Sequence, residues 1–174
     1  MEYIYKYKSP IGDITMASNG INLIGLWFDG QKYAKSTISS NAIEKELPVF
    51  NDTIKWLDLY FSGQEPHFIP SILMNGSEFR KRVWDVLLEI PYGTTMTYGE
   101  IADIIAKEEG LDKMSAQAVG GAVGHNPISI IVPCHRVVGT NGSLTGYAGG
   151  IDKKIKLLSL EKVDMNKFFI PKKK

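Results

Sequence analysis

The 174-residue chain contains one cysteine, within Ile131-Val132-Pro133-Cys134-His135-Arg136-Val137. A lone thiol flanked by an imidazole and a guanidinium has three readings: a small buried hydrophobe, a metal ligand or a nucleophile. One Cys allows neither an internal disulfide nor a multi-cysteine zinc site. His67, His125 and His135 are too scattered to suggest a metal cluster, so no metal and no other cofactor are expected. Against the core-filler reading stand His135 and Arg136, two groups awkward in a core that also favour a thiolate. Successive side chains of an extended segment point to opposite sides. His135 therefore reaches the sulfur directly only if the chain turns; otherwise it acts through a bridging water, with a carboxylate from another element orienting the ring. Glu161, at the end of the last predicted helix, is a candidate for that carboxylate. On these residues alone, buried hydrophobe and nucleophile both stay open.

The elements that must position these groups can be read from periodicity. Tyr3, Tyr5 and Tyr7 alternate with Ile4, Lys6 and Lys8 at strand period. Asp13–Ser18 and Ile21–Phe28 read as two further strands, with Asn19-Gly20 as a two-residue hairpin turn between them. Asp29–Ser40 is polar and reads as a loop. Asp52–Ser62 carries Ile54, Leu57 and Phe61 at helical spacing and stops at Gly63. Gln64–Gly76 holds two prolines without a clear period, which places the domain linker there. The expected organisation is an N-terminal β-sheet and helix domain over residues 1–70 and a C-terminal domain over residues 71–174.

In the second part, Ser77 is placed to cap a helix whose apolar face is Phe79, Val83, Val86 and Leu87, ending by Tyr92-Gly93. Thr97-Tyr98-Gly99-Glu100 is a capping box that opens a helix with the stripe Ile101, Ile104 and Ile105. Ser115 caps the next helix, which Asn126-Pro127 stops. Ile128–Val132 is a short β-branched run, read as the strand that delivers Cys134. A glycine-rich loop, Gly139–Gly150, precedes a last helix from Asp152 to about Leu160. The fold class is thus α+β: a small N-terminal antiparallel sheet with a helix, then a mostly helical C-terminal domain.

Composition bounds the function classes. The chain is 44% hydrophobic and 22% charged, ordinary for a globular protein. No stretch approaches the roughly 18 apolar residues of a membrane span, and the N-terminus MEYIYKYKSP lacks the apolar region of a signal peptide. A cytoplasmic protein with a reduced thiol, and no membrane partner, is expected. The net charge of +1 favours no partner in bulk, so nucleic-acid binding would need local charge or backbone contacts. The terminal Pro171-Lys172-Lys173-Lys174 is basic, but so short a lysine run is ordinarily just solvated.

The helix after Ser115 has an odd composition: Ala116-Gln117-Ala118-Val119-Gly120-Gly121-Ala122-Val123-Gly124. Each interior glycine costs about 1 kcal/mol relative to Ala. Tight packing on a neighbouring helix explains it, and so does close approach of the helix backbone to something bulky such as a sugar-phosphate chain. Together with the preceding helix it forms a helix-turn-helix pattern, which is a weak signal alone.

Pro133-Cys134-His135-Arg136-Val137 resembles the active-site motif of the O6-alkylguanine-DNA alkyltransferases. The similarity continues through Ala118-Val119-Gly120-Gly121-Ala122, Asn126-Pro127, Gly146-Tyr147, Leu157-Leu158 and Glu161. It also covers Phe79, Val83-Trp84, Ile90-Pro91, Gly93 and Thr97-Tyr98. It is dense from residue 77 to 161 and looser over residues 3–28. The resemblance implies suicidal DNA repair. An alkylated guanine is flipped out of the duplex, because its O6 faces the pairing partner inside the stack, and a thiolate takes the alkyl group in one displacement. It implies Cys134 as the nucleophile, His135 as the base through a water, and Glu161 as the group that orients His135. Asn126 ties the backbone at the helix–active-site junction. Tyr98 assists extrusion and gives the leaving guanine a proton. It implies a monomer whose partner is double-stranded DNA, met in the minor groove by Ser115, Ala116, Gln117, Ala118 and Gly120. The small residues and the helix N-terminal amides permit close approach to the phosphates.

Two positions depart from the family pattern. Gln117 stands where the family often has an Arg that fills the space of the extruded base, and Ala148 where some members have a Ser that contacts O6. Both bear on affinity or rate, not on reaction type. Alkyltransferase-like proteins lack the Cys, which argues against a sensor that binds without transfer. A Cys-His hydrolase acting on small molecules is the other rival, and turnover separates it. The range of alkyl groups and activity on O4-alkylthymine are not legible in the residues.

Overall fold

A computed structural model describes residues 1–31 and 38–171. Half of the expected Asp29–Ser40 loop, residues 32–37, and the lysines of the basic tail therefore lie outside the described residues. The chain divides into two compact units: Met1–Asn75 with Pro127–Ile131, and Gly76–Asn126 with Val132–Lys174.

The first unit is a four-stranded sheet with one helix. β1 (Tyr3–Ser9), β2 (Gly12–Ser18) and β3 (Leu23–Phe28) are antiparallel, and β4 (Ile43–Glu44) joins the far edge of β1 in parallel, giving the order β3-β2-β1-β4. The expected two-residue turn at Asn19-Gly20 is instead a four-residue loop, and β3 begins two residues later than its apolar run. The cause is local: the Asn19 carboxamide oxygen accepts from the amides of Ile21 (3.0 Å) and Asn22 (2.8 Å), which folds the loop on itself. Helix α1 (Pro48–Phe61) starts four residues before the expected Asp52. Asp52 has the type of a cap, but Pro48 supplies a first helical residue with φ already set. Val49 and Phe50 extend the buried stripe through Thr53, Trp56, Leu57 and Tyr60. The helix ends in a Schellman motif: Gly63, at φ 90°, donates to Tyr60 and Gln64 donates to Leu59. Phe50 stacks on Tyr5 with ring centroids 5.9 Å apart, which docks the helix on the sheet.

The second unit is mostly helical. Ser77 caps α2 (Glu78–Leu88) through Arg80 N. The helix stops before Tyr92-Gly93 because Ile90 precedes Pro91, whose ring disfavours helical geometry there. The capping box of Thr97 and Glu100 is complete at the start of α3 (Tyr98–Glu108), and Ser115 caps α4 (Ala116–Gly124) through Ala118 N. Helices α2, α3 and α4 pack on one another, and the Trp84 indole of α2 donates to Ala122 O of α4 at 2.9 Å. Two short strands, β5 (Met96–Thr97) and β6 (Val137–Val138), pair in parallel. Helix α5 (Ile151–Leu160) closes the unit, with Lys154, Leu157 and Leu158 buried. Among the described residues no helix is long and apolar enough to cross a membrane.

Candidate functional site

The sequence places the thiol at the end of a strand; the structure does not. Only Ile128 makes a strand-like bridge, to Leu26, and the chain then folds into turns. Ile130 is held at φ 71°, a left-handed conformation that β-branched residues rarely adopt. The run misled because Ile128, Ile130, Ile131 and Val132 are all buried, and an apolar run buried throughout has no period that separates extended chain from turn. The group that positions the thiol is instead the Val132 carbonyl. It accepts from the Cys134 amide and from Asn126 Nδ2, both at 2.8 Å. Asn126 also hydrogen-bonds the Cys134 side chain. The carboxamide thus joins the end of α4 to the thiol.

Cys134–Arg136 is a single 3₁₀ turn, not extended chain. Successive side chains fan out by about 120° there, so the three residues reach different partners, and all three are buried. The expectation that His135 and Arg136 are awkward in a core is therefore overturned, and the reason is Glu161. Its Oε2 lies 2.6 Å from His135 Nε2, and its Oε1 accepts from Arg136 Nε (2.8 Å) and the Gly93 amide (3.0 Å). Arg136 also donates to Ile90 O at 2.7 Å and stands over the Tyr92 ring at 5.6 Å. Burial pushes the Glu161 carboxyl up, but the hydrogen bonds from His135 and Arg136 and the Arg136 charge outweigh it and bring it down to about 2. An ionised Glu161 accepts only, so His135 carries its proton on Nε2 and presents Nδ1 as a base. Burial holds the imidazole below its ordinary value, hence neutral.

The electrostatics of the thiol also differ from the expectation. Arg136 faces Glu161, and the groups that lower the Cys134 value are Asn126 and Lys154. Burial is the larger effect and leaves the thiol raised. Tyr98, first residue of α3, donates its hydroxyl to Thr145 O at 3.2 Å. Gly146, at φ 74°, leaves room for it, since a Cβ there would lie 2.9 Å from the Tyr98 Oη. Burial, then the charge of Cys134, raises the phenol to about 12 against the lowering effect of Thr145. Tyr98 is therefore protonated at neutral pH, a donor.

Ser115, Ala116, Gln117 and Ala118 are exposed at the start of α4, and Gly120 is half-buried against the Tyr98 ring. A Cβ at Gly120 would meet that ring at 3.8 Å, an ordinary contact, and one at Gly121 or Gly124 would meet nothing within 4 Å. The tight-packing explanation of these glycines fails: among the described residues nothing comes close enough to need the missing Cβ atoms of Gly121 and Gly124.

Two groups escaped the sequence reading of the site. Arg136 was seen only as a neighbour of the thiol, and its pairing with Glu161 depends on a residue 25 positions away. Lys154 is fully buried and donates to Val137 O and Thr145 O. Its signal was present, since it shares the apolar stripe of Leu157, Leu158 and Glu161 at helical spacing.

The fold and the site together define a protein with a buried, hydrogen-bonded thiol beside a Glu-locked histidine and an open glycine-rich helix. The family model described as 6-O-methylguanine DNA methyltransferase, DNA binding domain, matches residues 78–163. The one described as 6-O-methylguanine DNA methyltransferase, ribonuclease-like domain, matches residues 3–69. The chain belongs to this methyltransferase family. It is 46% identical over 154 residues, 88% of each chain, to the methylated-DNA--protein-cysteine methyltransferase of Mycobacterium tuberculosis. It is 43% identical over 161 residues to the protein of that name from Methanosarcina acetivorans, covering 91% of this chain and 97% of the relative. The crystal structure of the M. tuberculosis OGT in complex with DNA is similar with a TM-score of 0.79 and 41% identity, covering 95% of this chain and 94% of that one.

Proposed function

We propose that this protein repairs DNA by moving the alkyl group of O6-alkylguanine irreversibly onto Cys134, once per molecule. The observation that carries the reading is the network around the thiol: Asn126 on the sulfur and its turn, His135 locked by Glu161, and the protonated Tyr98 hydroxyl. The Cys134 proton passes to His135 Nδ1 through a water, since that nitrogen is the one left basic by Glu161. The thiolate attacks the alkyl carbon, an S–C bond forms, and the C–O bond breaks with its electron pair leaving on guanine. Tyr98 supplies the proton that neutralises the departing base, and the thiol proton restores the balance. The product is a thioether, and none of the named groups is placed to hydrolyse it.

The target base must leave the duplex to reach a buried sulfur. Ser115–Ala118 and Gly120 meet the minor groove, where Gly121 and Gly124 let the α4 backbone approach the sugar-phosphate walls. Gln117 enters the space of the extruded base. The DNA-binding and transfer domain, expected from residue 71 on, is the unit of Gly76–Asn126 and Val132–Lys174, and the N-terminal domain, expected over residues 1–70, runs to Asn75 and takes in Pro127–Ile131. The protein acts as a monomer, since one chain supplies every group named, and in the cytoplasm, where a lone thiol stays reduced.

Intact-mass measurement after mixing with excess O6-methylguanine duplex tests the reading. One methyl mass should appear on Cys134 and the protein should then be inert, while Cys134→Ser should bind the duplex and gain nothing. Several turnovers per molecule, or a methyl on another residue, would overturn it.

A further inference from the structure

Lys154 is a fully buried lysine on α5. Its Nζ donates to Val137 O at 2.5 Å and to Thr145 O at 2.9 Å. Val137 directly follows the turn that carries Cys134. Thr145 O is also the acceptor of the Tyr98 hydroxyl, and Thr145 directly precedes Gly146-Tyr147. One ammonium thereby joins the thiol turn, the Tyr98 hydroxyl and the glycine-rich loop. Holding loops together needs only a donor, and a buried charge is an expensive donor. The charge itself needs a use.

We propose that Lys154 is a positioning residue of the transfer site, which clamps the Cys134 turn to the Thr145–Tyr147 loop and supplies the buried positive charge that stabilises the thiolate as it forms. The inference rests on Cys134 being the alkyl acceptor. The groups around that sulfur are Asn126, Tyr98 on α3, the His135–Arg136–Glu161 cluster and Lys154. Arg136 is neutralised by Glu161, which leaves Lys154 as the cation acting on the thiol. The interaction is mutual: burial pushes the Lys154 ammonium down to about 8, and the Cys134 charge pushes back up. The Lys154 charge also disfavours a proton on His135. With proton storage discouraged at both the sulfur and the imidazole, the proton is driven onward to the departing base.

Lys154→Met and Lys154→Arg, in the full chain, test this by the rate of Cys134 alkylation with free O6-benzylguanine across pH. A neighbouring charge ordinarily moves a titrating group by about one unit or more. Lys154→Met should therefore shift the thiol limb of the profile up by about one unit, slow the reaction roughly tenfold at neutral pH, and recover at alkaline pH; Lys154→Arg should keep the wild-type profile. A loss of the same factor at every pH, as a purely structural clamp gives, would overturn the inference, and so would no change. Should Lys154→Met not fold, the wild type with ¹³C-labelled lysine decides: the titration midpoint of the Lys154 Cε signal should fall once Cys134 is methylated, and an unmoved midpoint overturns the inference. Wild-type protein that takes up no alkyl group refutes the acceptor reading and the Lys154 inference together, whereas wild-type transfer with an unmoved Lys154→Met profile refutes Lys154 alone.

Discussion

Glu161→Gln tests the core of the site, because one carboxylate there has three partners. Glu161 is 3% exposed and binds His135, Arg136 and the Gly93 amide. Its carboxyl is brought from 4.5 to about 2, which by linkage corresponds to about 3 kcal/mol of stability. Removing one partner of a buried ion pair typically costs about 3–5 kcal/mol, so the two arguments agree. For a chain of this length each kcal/mol moves Tm by about 2–4 °C, and a fall of roughly 10 °C is expected. Because the folded value is depressed, this stability is fully present above pH 4.5 and is lost as pH falls toward 2. Glu161→Gln should therefore flatten the acid limb of the stability profile. The chemical effect is separate. Facing Arg136 and Gly93, the Gln oxygen accepts, so its amide nitrogen must donate to His135 Nε2. That moves the imidazole proton to Nδ1, and the base is lost. A rate loss of about 10²–10⁴ is expected of such a change, with duplex affinity changing far less. Melting and single-turnover transfer at a temperature where the variant is fully folded check both parts. A variant that melts within about 2 °C of wild type and transfers at the wild-type rate would refute the reasoning.

Gly121→Ala separates stability from binding. Nothing lies within 4 Å of its missing Cβ, so Ala should stabilise α4 by about 1 kcal/mol while weakening duplex binding; thermal melts and a binding titration at fixed salt check it, and binding that stays level would remove the backbone-approach reading. Gln117→Arg should speed single-turnover repair of duplex and leave free O6-benzylguanine unaffected, and Gln117→Ala should slow the duplex alone; duplex and free-base rates that move together would show that Gln117 does not fill the hole of the flipped base.

Much of this protein was legible in the residues because the signals involved are local. Capping depends on a side chain and an amide three residues away, so Ser77, Thr97 with Glu100, and Ser115 could be assigned without a neighbour. The reaction class came from the family resemblance, which the PCHRV run and the positions of Asn126, Tyr98 and Glu161 carry because the types and order of the groups are written in the chain. What sequence could not determine were quantities that depend on burial and on partners distant in sequence. An all-buried apolar run carries no period, so Ile128–Val132 read as a strand and folded as turns. Pro48 and a buried Val49-Phe50 pair lengthened α1 past the residue that looked like its cap. Arg136 looked like the cation that tunes the thiol until Glu161 took its charge. Only the packing of α5 against the Cys134 turn brought the Lys154 charge to bear on the thiol, because the effect of a charge depends on its distance and burial, neither of which is a property of the chain alone.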